Sequence, residues 1–303
     1  MIRAVALLLA TGLTVWGQAK ILAIVDAAAF QPGLPYGGGL ATIFVVGSGP
    51  QPGTYAAPPS GPLPFVLAGV AVQVNSARCP LLAVVVPSNS SAPVQINFQV
   101  PLERNGTLVP TLPEGTSYLL VRGLGSAVIQ TPLPMPPAFG GFFTDGNGYV
   151  TAQHASDYSP VTTQNPAHPG ETIIAYADDF FPVWPAPPIG FATPLQPLFQ
   201  FSDEDGVGNL IGISSPGGLY LQAYTTPNPF SPKGSYPNTP PLTMLFQGLA
   251  PGLVGVEQIN FVVPANQQPG NWSLFFNDAC PPGQTSRCPT VPASSPYAML
   301  PVR

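Results

Sequence analysis

The sequence predicts an all-β fold built as two tandem β-sandwiches joined by a proline-rich connector. Three observations carry this expectation. One strand-like string occurs twice, short apolar runs alternate with Gly and Pro turn signals, and no sustained 3.6-residue apolar period appears beyond the N-terminus. The string is Val94-Gln95-Ile96-Asn97-Phe98-Gln99-Val100-Pro101 in the first copy and Glu257-Gln258-Ile259-Asn260-Phe261-Val262-Val263-Pro264 in the second. From Gln95 to Gln258 the offset is 163 residues. Ile96, Phe98 and Val100 alternate with Gln95, Asn97 and Gln99, so one face is apolar and the other polar. Ile259, Phe261 and Val263 repeat the apolar face, and the proline ends each ladder because it has no N–H to donate.

Residues 1–17 read as a signal peptide. Arg3 supplies the positive region, and Val5 to Val15 forms the apolar stretch. Val15 and Gly17 are small enough for cleavage before Gln18, with cleavage after Ala19 as the second choice. No other apolar run approaches the ~20 residues of a membrane-spanning helix. The first cysteine is Cys79, far from any lipid-attachment position.

The first sandwich is expected over 20–135 and the second over 138–303. Gly39-Leu40-Ala41-Thr42-Ile43-Phe44-Val45-Val46 matches Gly170-Glu171-Thr172-Ile173-Ile174-Ala175-Tyr176-Ala177, a β-branched and aromatic run leaving a glycine turn. Downstream, Gly115-Thr116-Ser117-Tyr118-Leu119-Leu120-Val121 parallels Gly270-Asn271-Trp272-Ser273-Leu274-Phe275-Phe276. Thr131-Pro132-Leu133-Pro134-Met135-Pro136-Pro137 reads as the stiff connector. Gly39 to Gln95 spans 56 residues and Gly170 to Gln258 spans 88, so the second copy carries about 32 extra, assigned to 203–240. Within that insert Leu219 to Tyr224 has the pattern of a strand, which would make part of the insert an extra hairpin.

The order and content of these blocks resemble the family of secreted acidobacterial proteins with the Solibacter-type uncharacterised C-terminal domain. The residues that carry the resemblance are Val25-Asp26-Ala27-Ala28-Ala29-Phe30, the two Gln-Ile-Asn-Phe strands and Asn165-Pro166-Ala167-His168-Pro169-Gly170. The stretch from Gly248 to Val256 is the most diagnostic of them. The resemblance spans nearly all of the chain beyond residue 17. It implies export and an immunoglobulin-like architecture, and it implies no reaction. Asp178-Asp179-Phe180 departs from the Gly-rich turn of the family, and the long 203–240 segment departs from it too.

Composition agrees with a folded extracellular chain. There are 32 glycines and 43 prolines in 303 residues, yet 45% of residues are hydrophobic and no collagen period exists. Charge is sparse, with 13 acidic and 8 basic residues and a net charge of −5. No Lys/Arg cluster supplies the footprint that nucleic acid or an anionic membrane requires. Neutral partners fit such a surface: a glycan, a cell-surface protein or another extracellular protein.

Candidate chemistry is thin. Cys280 and Cys288 flank a Pro-Gly turn, and a disulfide between them would stabilise by ~2–3 kcal/mol in the chain-entropy model. Cys79 is left over and, in its apolar context, reads as a buried thiol. Asp203 and Asp205 place carboxylates at alternate positions beside a glycine turn that also holds Asn209, a partial Ca²⁺ pattern with an incomplete ligand set that is read first as an acidic turn. Asp145-Gly146-Asn147-Gly148 reads as a turn. The Asn-x-Ser/Thr strings at Asn89, Asn105 and Asn271 carry no weight if the source is bacterial, as the resemblance implies. His154 and His168 lie in the loop-rich start of the second copy, with His168 expected as a surface turn residue. Glu171, Asp178 and Asp179 could form a hydrolytic acid pair, and are read first as solvated acids at strand ends. Asn97 and Asn260 are read as satisfying loop backbone groups beside their strands, with ligand contact as the alternative. Tyr220, Tyr224, Phe230 and Tyr236 are the candidate recognition aromatics of the insert; packing the insert onto its sandwich is the other reading of them. The expected function is a secreted, non-catalytic binding, adhesion or structural module without an obligatory cofactor. The alternative is an extracellular polymer hydrolase.

Overall fold

The computed structural model describes residues 19–35, 37–47, 49–58, 62–75, 77–89, 91–101, 118–124, 129–132, 140–178, 187–200, 218–223, 242–278, 293–294 and 298–303. Among these the chain is all-β. The strands of the first copy are β1 (Lys20–Asp26), β2 (Leu40–Val46), β3 (Gly53–Ala56), β4 (Ala71–Val74), β5 (Ala77–Cys79), β6 (Leu81–Val86), β7 (Val94–Gln99), β8 (Tyr118–Arg122) and β9 (Ile129–Pro132). Those of the second are β10 (Gly141–Phe142), β11 (Ala152–His154), β12 (Thr172–Asp178), β13 (Gly218–Ala223), β14 (Thr243–Leu249), β15 (Glu257–Val262), β16 (Gly270–Asp278), β17 (Ala293–Ser294) and β18 (Ala298–Val302). Thr131 and Pro132, the first residues of the expected connector, belong to β9 and pair with β8; 133–137 lie outside the described residues. No helix among the described residues is long and apolar enough to cross a membrane.

The strands form four antiparallel sheets, an arrangement consistent with β-sandwich packing. Their orders are β1-β2-β7-β6-β3, β5-β4-β8-β9, β10-β12-β15-β14 with β11 also on β12, and β13-β16-β17 with β18 also on β16. In both copies the Gln-Ile-Asn-Phe strand lies between the upstream block and the strand that precedes it in the chain. Ile96, Phe98, Ile259 and Phe261 are fully buried, each side chain contributing about 1.5–3 kcal/mol by removal from water. One apolar cluster joins Ile43, Val84, Ile96 and Phe98 to Val72, Val74, Leu119 and Val121 of the second sheet. The other joins Ile173, Ala175, Ile259 and Phe261 to Leu274, Ala298 and Leu300. Alternation along each strand thus supplies one layer of each core.

The register corrects the upstream match by one residue. Leu40 pairs with Gln99, while Thr172 pairs with Val262, the residue at the same place in the second copy of the string. Thr172 therefore stands for Leu40, Tyr176 for Phe44 and Glu171 for Gly39. The glycine that turns the chain in the second copy is Gly170, matching Gly38: each donates its N–H at 2.9 Å to the valine after its motif strand, Val263 and Val100. Matching glycine to glycine placed the copies one step out of phase, a slip that reverses every side chain across the sheet.

Two further equivalences are invisible as sequence identity. The hairpin partner of each motif strand carries a register shift at the same place, between Leu81 and Ala83 opposite Phe98 and Asn97, and between Met244 and Phe246 opposite Phe261 and Asn260. A bulge retained in both copies is a feature of the fold. Strand β13 pairs with β16 as β4 pairs with β8. The expected strand at Leu219–Tyr224 is present through Ala223, but it is the counterpart of β4 and not an added hairpin. The extra residues of the second copy flank it on both sides.

Candidate functional site

The most informative site is the turn that follows the strand pairing with the upstream block, β1 in the first copy and β11 in the second. Asp26 pairs with Ala41, and His154 pairs with Ile173, the residue equivalent to Ala41. Val25 bridges Pro32 and Gln153 bridges Pro160, so Asp26–Pro32 and His154–Pro160 are the same turn. The hydrogen bonds agree. The Asp26 N–H donates to Gln31 O at 3.1 Å and the His154 N–H to Ser159 O at 3.0 Å. The Ala27 and Ala155 N–H groups donate to Leu40 O and Thr172 O, both at 3.0 Å. Each turn carries one aromatic residue with left-handed backbone, Phe30 at φ 56° and Tyr158 at φ 59°. Such backbone costs an L-residue roughly 1–2 kcal/mol. Both side chains remain more than half exposed, at 52% and 66%. The Phe30 ring lies 6.4 Å from that of Phe44, and Tyr176, at the Phe44 position, is fixed by its hydroxyl donating to Gln153 Oε1 at 2.9 Å.

The anchors of the two turns differ. In the first copy Asp26 is fully buried and accepts the N–H groups of Ala28, Ala29 and Gln31. Burial pushes its carboxyl above the usual range, and these N–H groups act against that. In the second copy the local cap is Asp157, which accepts the Ser159 N–H at 2.9 Å. His154 takes the buried place. Its Nδ1 lies 3.0 Å from Glu171 Oε2 and its Nε2 lies 3.2 Å from Asn165 O. Both neighbours are acceptors, so an imidazolium with two N–H donors satisfies both. Burial pushes the His154 pKa down, but the Glu171 carboxylate and the Asn165 carbonyl outweigh it and the net shift is upward.

His168 completes the group. Its side chain is exposed, as the sequence leads one to expect, and its Nδ1 lies 3.7 Å from Glu171 Oε1, which also accepts the His168 backbone N–H. Glu171 is thus no isolated solvated acid; it holds two histidines. Asn165 braces the cluster, its amide donating to Ser159 Oγ at 3.2 Å and to Pro160 O at 3.0 Å. The loop before Gly170 makes this possible. Equivalent residues are 128 apart at the turn and 132 apart at Gly38 and Gly170, so the second copy is four residues longer here. The Thr162–Asn165 turn occupies this loop.

A second buried group lies where the copies meet. Asp178, read from sequence as a solvated strand-end acid, is fully buried instead. Both its carboxylate oxygens lie 3.0 Å from the Leu40 nitrogen and accept its N–H. Burial, then the charges of Glu257 and Asp26, push its carboxyl well above the usual range, against the Leu40 N–H. Glu257 is buried as well. Beside them Gln99 donates to Gly38 O at 2.8 Å and accepts the Gly190 N–H at 2.7 Å. Gln99 is where the two copies of the string diverge, since its counterpart is Val262.

The polar face of the repeated string has a simpler role than the sequence assigned to it. Gln95 Nε2 donates to Asn97 Oδ1 at 3.0 Å, and Gln258 Nε2 donates to Asn260 Oδ1 at 2.9 Å. Among the described residues these asparagines accept from strand side chains, Asn97 from Thr42 of β2 as well. Cys79 is buried and free. Tyr220 lies in β13. Tyr224, Phe230, Tyr236, Asp179, the Asp203, Asp205 and Asn209 triplet, and Cys280 with Cys288 lie outside the described residues. The paired turns were missed in the sequence because they share only Ala27 with Ala155, Pro32 with Pro160, and an aromatic at Phe30 and Tyr158. Comparison with family models, with curated proteins and with solved structures finds no match to this chain.

Proposed function

We propose that this chain is an exported, non-catalytic binding or structural module of the bacterial cell exterior, built as two tandem immunoglobulin-like sandwiches of the Solibacter-type family. The observation that carries this reading is the pair of equivalent turns, each holding a half-exposed aromatic ring in left-handed backbone. Strained backbone persists where its surroundings hold it, and it clusters where it positions a side chain for use. An exposed aromatic face suits a sugar ring or an apolar side chain of a partner. The sparse charge supports a neutral partner of this kind. Export rests on the Arg3-led segment, which lies outside the described residues. Of the described acids named for the hydrolase reading, Asp178 accepts a backbone N–H in the interior and Glu171 is engaged with His154 and His168.

The test is a glycan-array and cell-envelope binding assay of secreted protein, wild type against Phe30→Ala, Tyr158→Ala and the double variant. Graded loss of binding, with circular dichroism unchanged, is the expected result. Wild-type binding retained by the folded double variant would remove the turns as the recognition surface.

A further inference from the structure

We propose that His154, His168 and Glu171 form a binding site for a first-row divalent cation of the zinc class. One donor atom from each residue lies within 4.8 Å of the others. His154 Nδ1 lies 3.0 Å from Glu171 Oε2 and His168 Nδ1 lies 3.7 Å from Glu171 Oε1, so the two imidazoles meet opposite oxygens of one carboxylate; a tetrahedral ion with bonds near 2.0–2.1 Å needs about 3.3 Å between ligand atoms, which the exposed His168 ring reaches by a small rotation. Two imidazoles and one carboxylate suit zinc, copper or nickel better than the hard oxygen-seeking calcium.

The surroundings are those a ligating histidine needs. With Nδ1 turned to the cluster, His154 Nε2 faces the Asn165 carbonyl at 3.2 Å. A hydrogen bond on the outer nitrogen fixes the tautomer and ring orientation of a metal-bound imidazole. Asn165 is itself pinned by Ser159 and Pro160, and His154 belongs to a paired strand. The Glu171 carboxylate is aimed by the His168 backbone N–H. Exposure of His168 leaves the fourth coordination position to water. The site belongs to the second copy alone, because Asp26 and Gly39 stand where His154 and Glu171 do.

The test is isothermal titration of the untagged chain with zinc chloride at pH 7.5, with calcium chloride as control. The same titration is run on His168→Ala, Glu171→Gln and a Cys280→Ser/Cys288→Ser double variant. One equivalent of zinc is expected in wild type. Affinity should fall at least tenfold in His168→Ala and in Glu171→Gln, and change less than twofold in the cysteine variant. His168 is exposed, so its replacement leaves the core intact, and circular dichroism verifies this. Absence of saturable zinc binding in wild type overturns the proposal. So does zinc binding unaltered in both His168→Ala and Glu171→Gln, or lost only with the cysteines.

Discussion

Asn97 and Asn260 occupy the same position of the same string, yet they are not equally committed. Asn97 Oδ1 accepts from Gln95 Nε2 and also from Thr42 Oγ1 at 3.1 Å. The Thr42 position holds Ile174 in the second copy, so among the described residues Asn260 keeps only the bond from Gln258. A net hydrogen bond is worth about 1 kcal/mol. Asn97→Ala should therefore lower stability by about 2 kcal/mol and Asn260→Ala by about 1 kcal/mol, read from urea midpoints at constant slope. Equal losses would show that Thr42 contributes nothing. His154 offers a pH-resolved test at the same scale. Its pKa is raised in the folded chain, so its stabilisation is fully present below the ordinary imidazole value of about 6.5 and is lost as pH rises through the higher folded value. With a chelator present, the stability gap between wild type and Glu171→Gln should be widest near pH 6 and narrow towards pH 8. A gap that widens with pH would mean that Glu171 acts without the His154 charge.

The element that separates the copies is the loop leading into the upstream strand. In the first copy this loop ends in a glycine run, with the Gly38 N–H donating to Val100 O and Gly39 O accepting the Val100 N–H. In the second it is longer and closes on His154, Asn165 and Glu171. The neighbouring scaffold is unchanged, from the bulge opposite Phe98 and Phe261 to the left-handed aromatics at Phe30 and Tyr158. At Tyr158, replacement by glycine relieves the αL cost of roughly 1–2 kcal/mol and removes the ring. Tyr158→Gly should therefore leave thermal stability equal or higher while abolishing any binding that depends on the ring. A clear fall in the melting temperature of that variant would show that the ring serves packing instead.

At the scale of the whole molecule, the two copies meet through close backbone approach and buried acids. A Cβ on Gly255 (φ +66°) would stand 2.9 Å from Gly38 O and 2.7 Å from Leu40 Cδ2, whereas one on Gly252 (φ +81°) would meet nothing within 4 Å. Both alanine variants incur the left-handed cost of roughly 1–2 kcal/mol; overpacking adds about 1–3 kcal/mol at Gly255 only. Gly255→Ala should be the more destabilising by that margin in denaturant titration, and parity between the two would deny a tight junction. The Asp178 carboxyl is raised well above its ordinary value of about 3.9. Its contribution to stability is thus fully present below that value and is lost as pH rises through the folded one. Asp26 is shifted the same way. Asp178→Asn retains an oxygen to accept the Leu40 N–H and cannot ionise. Its stability should decline less than that of wild type between pH 4 and pH 8, and parallel declines would contradict burial of the charge.

The sequence by itself determined the strand content, the duplication and the buried faces of the repeated strings. Alternation in Ile96-Asn97-Phe98 is a local pattern, and a period of two admits one secondary structure. The turn at Asp145 was legible for the same reason: its carboxylate accepts the Asn147 and Tyr149 N–H groups within a few residues. What only the tertiary structure decided depends on pairings distant in the chain. The one-residue correction at Gly38 and Gly170 is fixed by β7 and β15, far downstream. The burial of Asp178 follows from an N–H supplied by Leu40, 138 residues away, and no local pattern encodes such a partner. The convergence of His154, Asn165, His168 and Glu171 likewise arises because β11 and β12 lie side by side, which turns spacing along the chain into contact in space.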